Sequence, residues 1–339
     1  MKEKSNLAFI GTGWIGLNRM KSLLKEDLCN PVAILEPDPE NAEKDLELDP
    51  GARIMGTVEE LLKIRPDGIV IATPSALHAS QCMSALTNGI PVFCQKPLAR
   101  NADECYQVIS AAYKSNKLLG VDLSYRYTDG MQKIYQLPRE ELGEIFAIDL
   151  VFNNAYGPDK AWFYNPQLSG GGCIIDLGVH MIDLALWILN FPKIKHVTST
   201  LISNGQIILN NDTEDIVEDY ASVQMETETG TLIRLVCSWN LSAGRDAEIS
   251  ASLYGTKGSA LFYNLDGSFY NFEAAVCHGT GRRIISNPPD EWGGKAIIHW
   301  TRILQHGNHF RNFSLQYYNT AEVLDRIYNR KKVFKASIK

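Results

Sequence analysis

The sequence predicts an α/β fold in two parts, a doubly wound parallel sheet followed by an α+β domain with a large open mixed or antiparallel sheet. Short apolar strands alternate with helical stretches over residues 1–123, the pattern of a parallel sheet covered by helices. From residue 197 onward, strand patterns dominate. The 339 residues exceed one ordinary domain. We therefore expect two domains, over residues 1–123 and 124–339.

The individual elements follow from the spacing of apolar residues and from the turn residues between them. In the first part, strands are predicted over residues 7–10, 32–35, 53–55, 68–72, 91–94 and 118–123, and helices over residues 17–25, 39–46, 58–64, 77–88 and 102–116. In the second part, helices are predicted over residues 131–137, 174–189 and 312–329, and strands over residues 144–153, 197–202, 220–228, 231–241, 247–254, 259–264 and 269–272. Helices would cover one face of the second sheet, and the other face could pair with a second subunit.

A glycine motif stands where the first strand ends. Gly11, Gly13 and Gly16 form the pattern G-x-G-x-x-G between an apolar strand and a helix, and Glu36 ends the next strand. Gly11 permits the tight turn, Gly13 lets backbone N–H groups approach a pyrophosphate, and Gly16 allows the helix to pack closely on the strand. This context is typical of a dinucleotide-binding Rossmann domain.

The residues around this turn indicate which dinucleotide binds. Trp14 and Ile15 lie inside the glycine turn, so their backbone belongs to the expected pyrophosphate site. Glu36 lies where a carboxylate accepts hydrogen bonds from the adenosine ribose, and it would repel a 2′-phosphate. No Arg immediately follows Glu36. NAD(H) is therefore expected, and NADP(H) is less favoured.

Further polar groups follow the other strands of the predicted parallel sheet. Thr73, Pro74 and His78 come after the fourth strand, and Gln95 and Lys96 come after the fifth. The carboxyl ends of parallel strands meet at one edge, so we expect these residues to lie beside the cofactor. The Lys96 ammonium could bind a substrate hydroxyl and favour its alkoxide. The alternative is a surface lysine beside a structural proline.

A second polar group follows the glycines at 170–172. Asp176 and His180 are four residues apart on a predicted helix, and Asp183 continues the same face. A carboxylate beside an imidazole fixes its tautomer and raises its basicity, so His180 could act as a general base. The glycines would leave the start of this helix open to a ligand. A buried structural histidine is the alternative, and no metal is expected because a fourth ligand is not evident.

Three other residues are candidates for the substrate pocket. Tyr125 and Arg126 follow the sixth strand, where the two domains join, and could contact substrate or pack between the domains. Trp162 lies in a loop before the glycines. An aromatic face suits the C–H surface of a sugar, although a hydrophobic plug is an equal alternative.

Composition argues against several classes of partner. The formal net charge of −6 does not suit a nucleic-acid or anionic membrane surface. We find no apolar run long enough to span a bilayer and no room for a signal peptide before the first strand. The seven scattered cysteines form no CxxC pair, so reduced thiols in the cytoplasm are expected.

Together these motifs resemble the Gfo/Idh/MocA oxidoreductase family. The resemblance covers nearly the whole chain, through the glycine turn, residues 72–78, 96–97, 170–183 and 254–258, and the last helix. It implies that Lys96, Asp176 and His180 line the catalytic centre. It also implies hydride transfer between NAD and one secondary alcohol (CH–OH) of a sugar, a nucleotide-sugar or a cyclic polyol. The second sheet would then make the contacts of a homodimer or homotetramer.

Two departures from the family pattern bear on the chemistry. The family's Glu-Lys-Pro motif has Gln95 in place of glutamate, which removes a negative charge beside Lys96. The Arg that often follows the loop tryptophan in relatives is absent after Trp162. Two alternative functions stay open: a catalytically silent, NAD-sensing regulatory protein, and an NAD-dependent glycosidase that uses transient oxidation to drive elimination.

Overall fold

The computed structural model describes residues 4–209 and 215–330. Grouped by their contacts, these residues form two compact units. The N-terminal unit contains residues 4–122 and 293–318, and the C-terminal unit contains residues 123–292, apart from the gap, and 319–330. Residues 331–339 of the predicted second domain lie outside the described part.

The N-terminal unit contains the predicted parallel sheet. Its strands are β1 (Ser5–Ile10), β2 (Cys29–Leu35), β3 (Arg53–Ile54), β4 (Gly68–Ile71), β5 (Val92–Cys94) and β6 (Leu119–Val121). Its helices up to residue 122 are α1 (Trp14–Lys25), α2 (Pro39–Leu48), α3 (Val58–Lys63), α4 (Ser75–Thr87) and α5 (Ala102–Ser115). The strands lie in the order β3-β2-β1-β4-β5-β6. The chain first adds β2 and β3 on one side of β1, and then adds β4, β5 and β6 on the other side. This is the doubly wound arrangement of a Rossmann domain.

Capping residues in the sequence explain where several of these helices begin. Asp38, Thr57 and Asn101 precede α2, α3 and α5, and each side chain accepts a hydrogen bond from a backbone N–H of the first turn. Such bonds satisfy donors that the helix itself leaves without acceptors. The predicted helix positions in this unit are confirmed to within a few residues.

The carboxyl ends of the parallel strands are in register. Ile10 lies opposite Leu35 and Ile71, and Cys94 lies opposite Ile71 and Val121. The residues that follow β1, β2, β4, β5 and β6 therefore share one edge of the sheet. This is the edge at which ligands bind in doubly wound folds.

The C-terminal unit contains the predicted mixed sheet. In the described residues its strands are β7 (Ile145–Asn154), β8 (Ile194–Ser203), β9 (Gln206–Ile207), β10 (Tyr220–Thr227), β11 (Leu232–Ser238), β12 (Ala247–Gly255), β13 (Ser259–Asn264), β14 (Phe272–His278) and β15 (Gly281–Ser286). Their order is β15-β14-β13-β12-β7-β11-β10-β8-β9, with β7 and β11 parallel and the other pairs antiparallel. The helices of this unit include α6 (Asp129–Tyr135), α7 (Arg139–Leu142), α8 (Pro166–Ser169) and α9 (Val179–Ile188).

One face of the mixed sheet belongs to the hydrophobic core and the other does not. Along β10, Ala221, Val223 and Met225 are buried in the core cluster, which also contains most of α9. The residues between them, Ser222 and Gln224, are exposed. This alternation is typical of a strand that packs one face on the core and leaves the other face exposed.

The last described helices are α10 (Lys295–Leu304) and α11 (Leu315–Ile327). Helix α10 belongs to the N-terminal unit because Trp300 packs on Phe93 of β5, with ring centroids 5.7 Å apart. A Cβ on Gly120 of β6 would come within 2.5 Å of the same indole. Residues 293–318 thus group with the first unit, and not with the second domain expected over residues 124–339.

One segment corrects the expectation that no apolar run is long enough to span a bilayer. By length and composition, the stretch Pro166–Ile188 could do so, and it is the one such helical stretch among the described residues. Yet 83% of its most apolar window is buried inside the protein. Such burial is what a core helix shows.

Candidate active site

The turn after β1 has the geometry that the glycine motif predicts. Gly11 has a φ of +79°, in the left-handed region that favours glycine. A Cβ on Gly16 would lie 2.1 Å from the carbonyl oxygen of Gly11, so a larger residue would push α1 away from the turn. Both glycines therefore have the conformational roles assigned to them from the sequence.

Gly13 leaves open the space that a pyrophosphate needs. A Cβ on Gly13 would meet no atom within 4 Å. Gly13 is the N-cap residue of α1, and because it has no side chain it cannot cap the first N–H groups of the helix. The first N–H groups of α1, with Trp14 and Ile15 in its first turn, suit a phosphate placed at the positive end of the helix. The residues at this turn thus fit a dinucleotide.

Gly13 and Gly16 provide a matched pair of variants. Gly13→Ala should leave the thermal unfolding temperature nearly unchanged, but it should weaken NADH binding by about tenfold or more because the methyl group occupies the pyrophosphate space. Gly16→Ala should lower the free energy of unfolding by about 1–3 kcal/mol because its methyl group overlaps the backbone of the turn. Thermal unfolding and NADH titration measure the two effects. Wild-type NADH affinity in Gly13→Ala would contradict this placement.

Glu36 follows β2 and is held at the glycine turn. Its Oε2 accepts a hydrogen bond from the backbone N–H of Thr12, with an N–O distance of 2.6 Å. Its Oε1 accepts one from the backbone N–H of Asp38 at 3.0 Å. The carboxylate stands beside the turn, as expected for a group that binds the adenosine ribose and repels a 2′-phosphate.

His78 links the turns that follow β4 and β5. Its ring is buried, with Nδ1 2.7 Å from the carbonyl oxygen of Pro97 and Nε2 2.7 Å from that of Thr73. Burial lowers the pKa of His78. Pro74 caps α4, and the Lys96–Pro97 peptide bond is cis. His78 therefore positions the backbone next to Lys96.

Gln95 lies in a buried polar cluster at the same sheet edge. Its side-chain amide donates a hydrogen bond to Asp122, which follows β6. The same carboxylate accepts from Nε of Arg19 on α1, and the two form a buried ion pair. The amide nitrogen of Gln95 is thus directed at Asp122. Neither Asp122 nor Arg19 was singled out from the sequence.

Asp176 and His180 lie on one helical stretch, as predicted. Its first turn, Ile174–Gly178, is π-helical and not α-helical. Asp176 accepts a hydrogen bond from the indole N–H of Trp239 at 3.1 Å. The buried ring of His180 lies 4.8 Å from that of Tyr125, measured between centroids. Burial and the charge of Asp176 raise the pKa of Tyr125. The C-terminal unit thus gathers Tyr125, Asp176 and His180.

The loop that carries Trp162 lies beside this group. Trp162 stacks on Phe163 with ring centroids 3.8 Å apart. Phe163 and Tyr164 lie edge-on to Trp239 at 6.4 and 5.6 Å. Burial and the charge of Asp176 raise the pKa of Tyr164. The loop therefore places aromatic rings near Asp176, where they could contact the C–H face of a sugar.

Arg126 is engaged in packing within the C-terminal unit. Its guanidinium makes a two-point ion pair with the buried carboxylate of Asp183, with Nε 2.6 Å from Oδ2. It also lies 5.3 Å from the ring centroid of Phe191. Thr320 donates a further hydrogen bond to Asp183 at 3.3 Å. These contacts of Arg126 lie within the C-terminal unit, and they use both oxygens of Asp183.

A buried carboxyl group, that of Glu218, holds the start of the π-helical turn. It accepts hydrogen bonds from the backbone N–H groups of Gly172 and Ile174 at 3.0 and 2.8 Å, and from the Tyr328 hydroxyl at 2.7 Å. Burial raises the pKa of Glu218. The start of the helix is therefore capped from within the protein. This corrects the expectation that the glycines leave it open to a ligand.

Removing this cap should weaken the fold of the C-terminal unit. In Glu218→Gln an amide replaces one oxygen, so a buried backbone N–H loses its acceptor, and we expect the free energy of unfolding to fall by about 1–3 kcal/mol. Tyr328→Phe removes a single hydrogen bond and should lower the free energy of unfolding by about 1 kcal/mol. Urea unfolding of both variants measures the difference. A Glu218→Gln protein as stable as wild type would show that the cap contributes nothing.

Sequence reasoning missed Trp239 and Glu218. Trp239 lies 63 residues from Asp176, and Glu218 lies 46 residues from Gly172, so local spacing gives no sign of either contact. The one available signal was the position of Trp239 near the end of a predicted strand. Among the described residues, no group of three His, Cys, Asp or Glu side chains could hold a metal ion.

Comparison with known protein families decides the identity of the chain. Two family models match the chain. The model of the oxidoreductase family with an NAD-binding Rossmann fold matches residues 5–123, and the model of the Gfo/Idh/MocA C-terminal domain matches residues 132–261. The chain belongs to the Gfo/Idh/MocA family. It is therefore an oxidoreductase with an NAD-binding Rossmann domain, which confirms the prediction from the motifs.

Relatives and solved structures agree with this assignment. D-glucoside 3-dehydrogenase of Escherichia coli is 30% identical over 212 residues, which span 60% of this chain and 60% of that enzyme. Inositol 2-dehydrogenase of Cereibacter sphaeroides is 26% identical over 75% of this chain and 72% of its own length. Levoglucosan dehydrogenase, solved with NADH and levoglucosan, has the same fold, with a TM-score of 0.82 and 19% identity over 96% of this chain and 97% of that one.

Proposed function

We propose that this chain is a dehydrogenase that moves a hydride between NAD and one secondary alcohol of a sugar, a nucleotide-sugar or a cyclic polyol. The observation that carries the proposal is the group formed by Tyr125, Asp176 and His180 in a chain that also has a dinucleotide turn. The relatives' names support the substrate class, since they include dehydrogenases of a D-glucoside and of inositol.

We propose that Lys96, Asp176 and His180 take part in the same reaction. His180 accepts the proton of the substrate hydroxyl as a general base. The Lys96 ammonium stabilises the alkoxide that develops. Asp176, itself held by Trp239, stabilises the protonated imidazole. A bound nicotinamide supplies the acceptor for the hydride that leaves the same carbon.

The aromatic residues around Asp176 would select the substrate. We propose that Tyr125, Trp162 and Tyr164 contact the C–H face of a sugar or polyol ring. The charge of Asp176 acts on both tyrosines, and Trp162 stacks on Phe163, which packs on the Trp239 ring that binds Asp176. We propose that Arg126 positions α9 through its ion pair with Asp183.

A screen for reduced nicotinamide tests this function. The purified chain is incubated with D-glucosides, inositols and nucleotide-sugars, each with NAD and separately with NADP, and reduced nicotinamide is followed by its absorbance. We expect NADH from at least one of these alcohols, and more with NAD than with NADP. NAD binding without any NADH would favour the regulatory protein. Release of an aglycone without net NADH would favour the glycosidase.

We also infer that copies of the chain associate through the uncovered face of the mixed sheet, as a homodimer or homotetramer. This face has exposed polar side chains such as Ser222, Gln224 and Arg234. Light scattering should report a dimer or tetramer, and a monomer at micromolar concentration would contradict the inference. We place the chain in the cytoplasm, because all seven cysteines are free thiols and six of them are buried.

A further inference from the structure

A buried carboxyl group on α2 has no place in the mechanism above. Asp45 has a relative exposure of 0%, although the helix around it is mostly exposed. Its Oδ2 accepts a hydrogen bond from the hydroxyl of Thr12, the residue between Gly11 and Gly13 of the dinucleotide turn. Asp45 thus touches the part of the molecule that binds the cofactor.

Asp45 shares this hydroxyl with a second carboxylate. Thr12 Oγ1 also lies 3.3 Å from Oε2 of Glu36, while the Thr12 backbone N–H donates to the same oxygen. A hydroxyl has one proton to donate, so it cannot satisfy both carboxylates. Two negative groups therefore adjoin one side chain at the glycine turn.

The environment leaves the charge of Asp45 incompletely compensated. Its Oδ1 is buried, and in the described part of the chain it has no hydrogen-bond partner. Burial and the charge of Glu36 raise the pKa of Asp45 to about 6, against the opposing effect of the Thr12 hydrogen bond. Among the described residues, Glu36 is the ionisable group whose charge shifts the pKa of Asp45. Above this pKa the pair carries two negative charges with few donors to neutralise them.

We propose that Asp45 is a second determinant of dinucleotide choice, acting with Glu36 to disfavour a 2′-phosphate on the adenosine ribose. Glu36 would contact the ribose, and Asp45 would add negative potential from behind Thr12. A charge within several ångströms in a partly buried site has a substantial effect on a phosphate. This inference rests on the proposed use of NAD.

The test compares NADH and NADPH affinity in wild type, Asp45→Asn and Glu47→Gln. Asp45→Asn keeps the shape of the side chain and an oxygen to accept from Thr12. Glu47→Gln removes one carboxylate from an exposed position of the same helix and serves as the matched control. Fluorescence titration gives the ratio of the NADPH to the NADH dissociation constant. At pH 7.5 we expect Asp45→Asn to lower this ratio by about tenfold and Glu47→Gln to leave it nearly unchanged.

The pH dependence gives a second readout. Asp45 loses its charge as pH falls through about 6, so the difference in ratio between wild type and Asp45→Asn should shrink there. The 2′-phosphate also takes up a proton near pH ~6, which reduces the same repulsion and should shrink this difference further. An unchanged ratio in Asp45→Asn, or equal weakening of NADH and NADPH, would overturn the role of Asp45. Wild-type protein that binds neither dinucleotide would instead overturn the proposed function.

Discussion

Replacing His180 by alanine should lower kcat for the sugar or polyol by about 10²–10⁴, the usual contribution of a general base. The substrate hydroxyl then has to lose its proton to water. His180 belongs to the C-terminal unit and the dinucleotide turn to the N-terminal unit, so NADH affinity should stay close to that of wild type. Steady-state kinetics and NADH titration measure the two quantities separately.

A histidine elsewhere on the surface provides the control for this variant. His306 is exposed near the end of α10, and His306→Ala should keep the wild-type kcat. If His180→Ala retained wild-type turnover, His180 would not be the base. If it lost NADH affinity as well as turnover, its effect would be on the fold rather than on proton transfer.

Replacing Lys96 by methionine should lower kcat by about 10²–10³, because the ammonium stabilises charge that develops only as the hydride leaves. Methionine keeps much of the side chain's length while it removes the charge. KM should change less than kcat, since the hydroxyl of the bound substrate is still neutral. Steady-state kinetics with the same alcohol used for His180→Ala give the comparison.

The matched control for Lys96 is Lys114→Met, which removes an exposed lysine from α5. It should keep the wild-type kcat. If Lys96 and His180 act in the same step, the double variant should lose less activity than the product of the two single losses. Fully multiplicative losses, or an unaffected Lys96→Met, would contradict the roles proposed for the pair.

Residues 4–122 of the N-terminal unit could be predicted almost completely from local patterns. Helix α10 of the same unit was not predicted, because Trp300 packs on Phe93, which is distant in sequence. In residues 4–122 the buried strands are continuous apolar runs, as at Gly68–Ile71, and helices begin at capping residues such as Thr57. The positions of Glu36 and Lys96 in the fold could be predicted because Glu36 follows β2 directly and Lys96 follows β5 by two residues, and parallel strands share an edge. In a doubly wound fold, a residue that follows a strand can be placed at the carboxyl edge of the sheet from its position in the sequence alone.

The C-terminal unit was harder to predict. Strand β14 lies at Phe272–His278 rather than at 269–272, and β15, which pairs with β14 across a short turn, was not predicted. The π-helical turn has no sequence pattern that separates it from an α-helix. The ion pair of Arg126 with Asp183, 57 residues away, could not be predicted from local spacing.

Transfer of deuterium is the measurement that tests the central claim most directly. The alcohol found in the NADH screen is labelled with deuterium on its ring carbons and converted in ordinary water with NAD. The proposed hydride transfer predicts reduced nicotinamide that carries deuterium at C4, seen as added mass. Reduced nicotinamide without deuterium, or conversion of the labelled compound with no reduced nicotinamide, would contradict it.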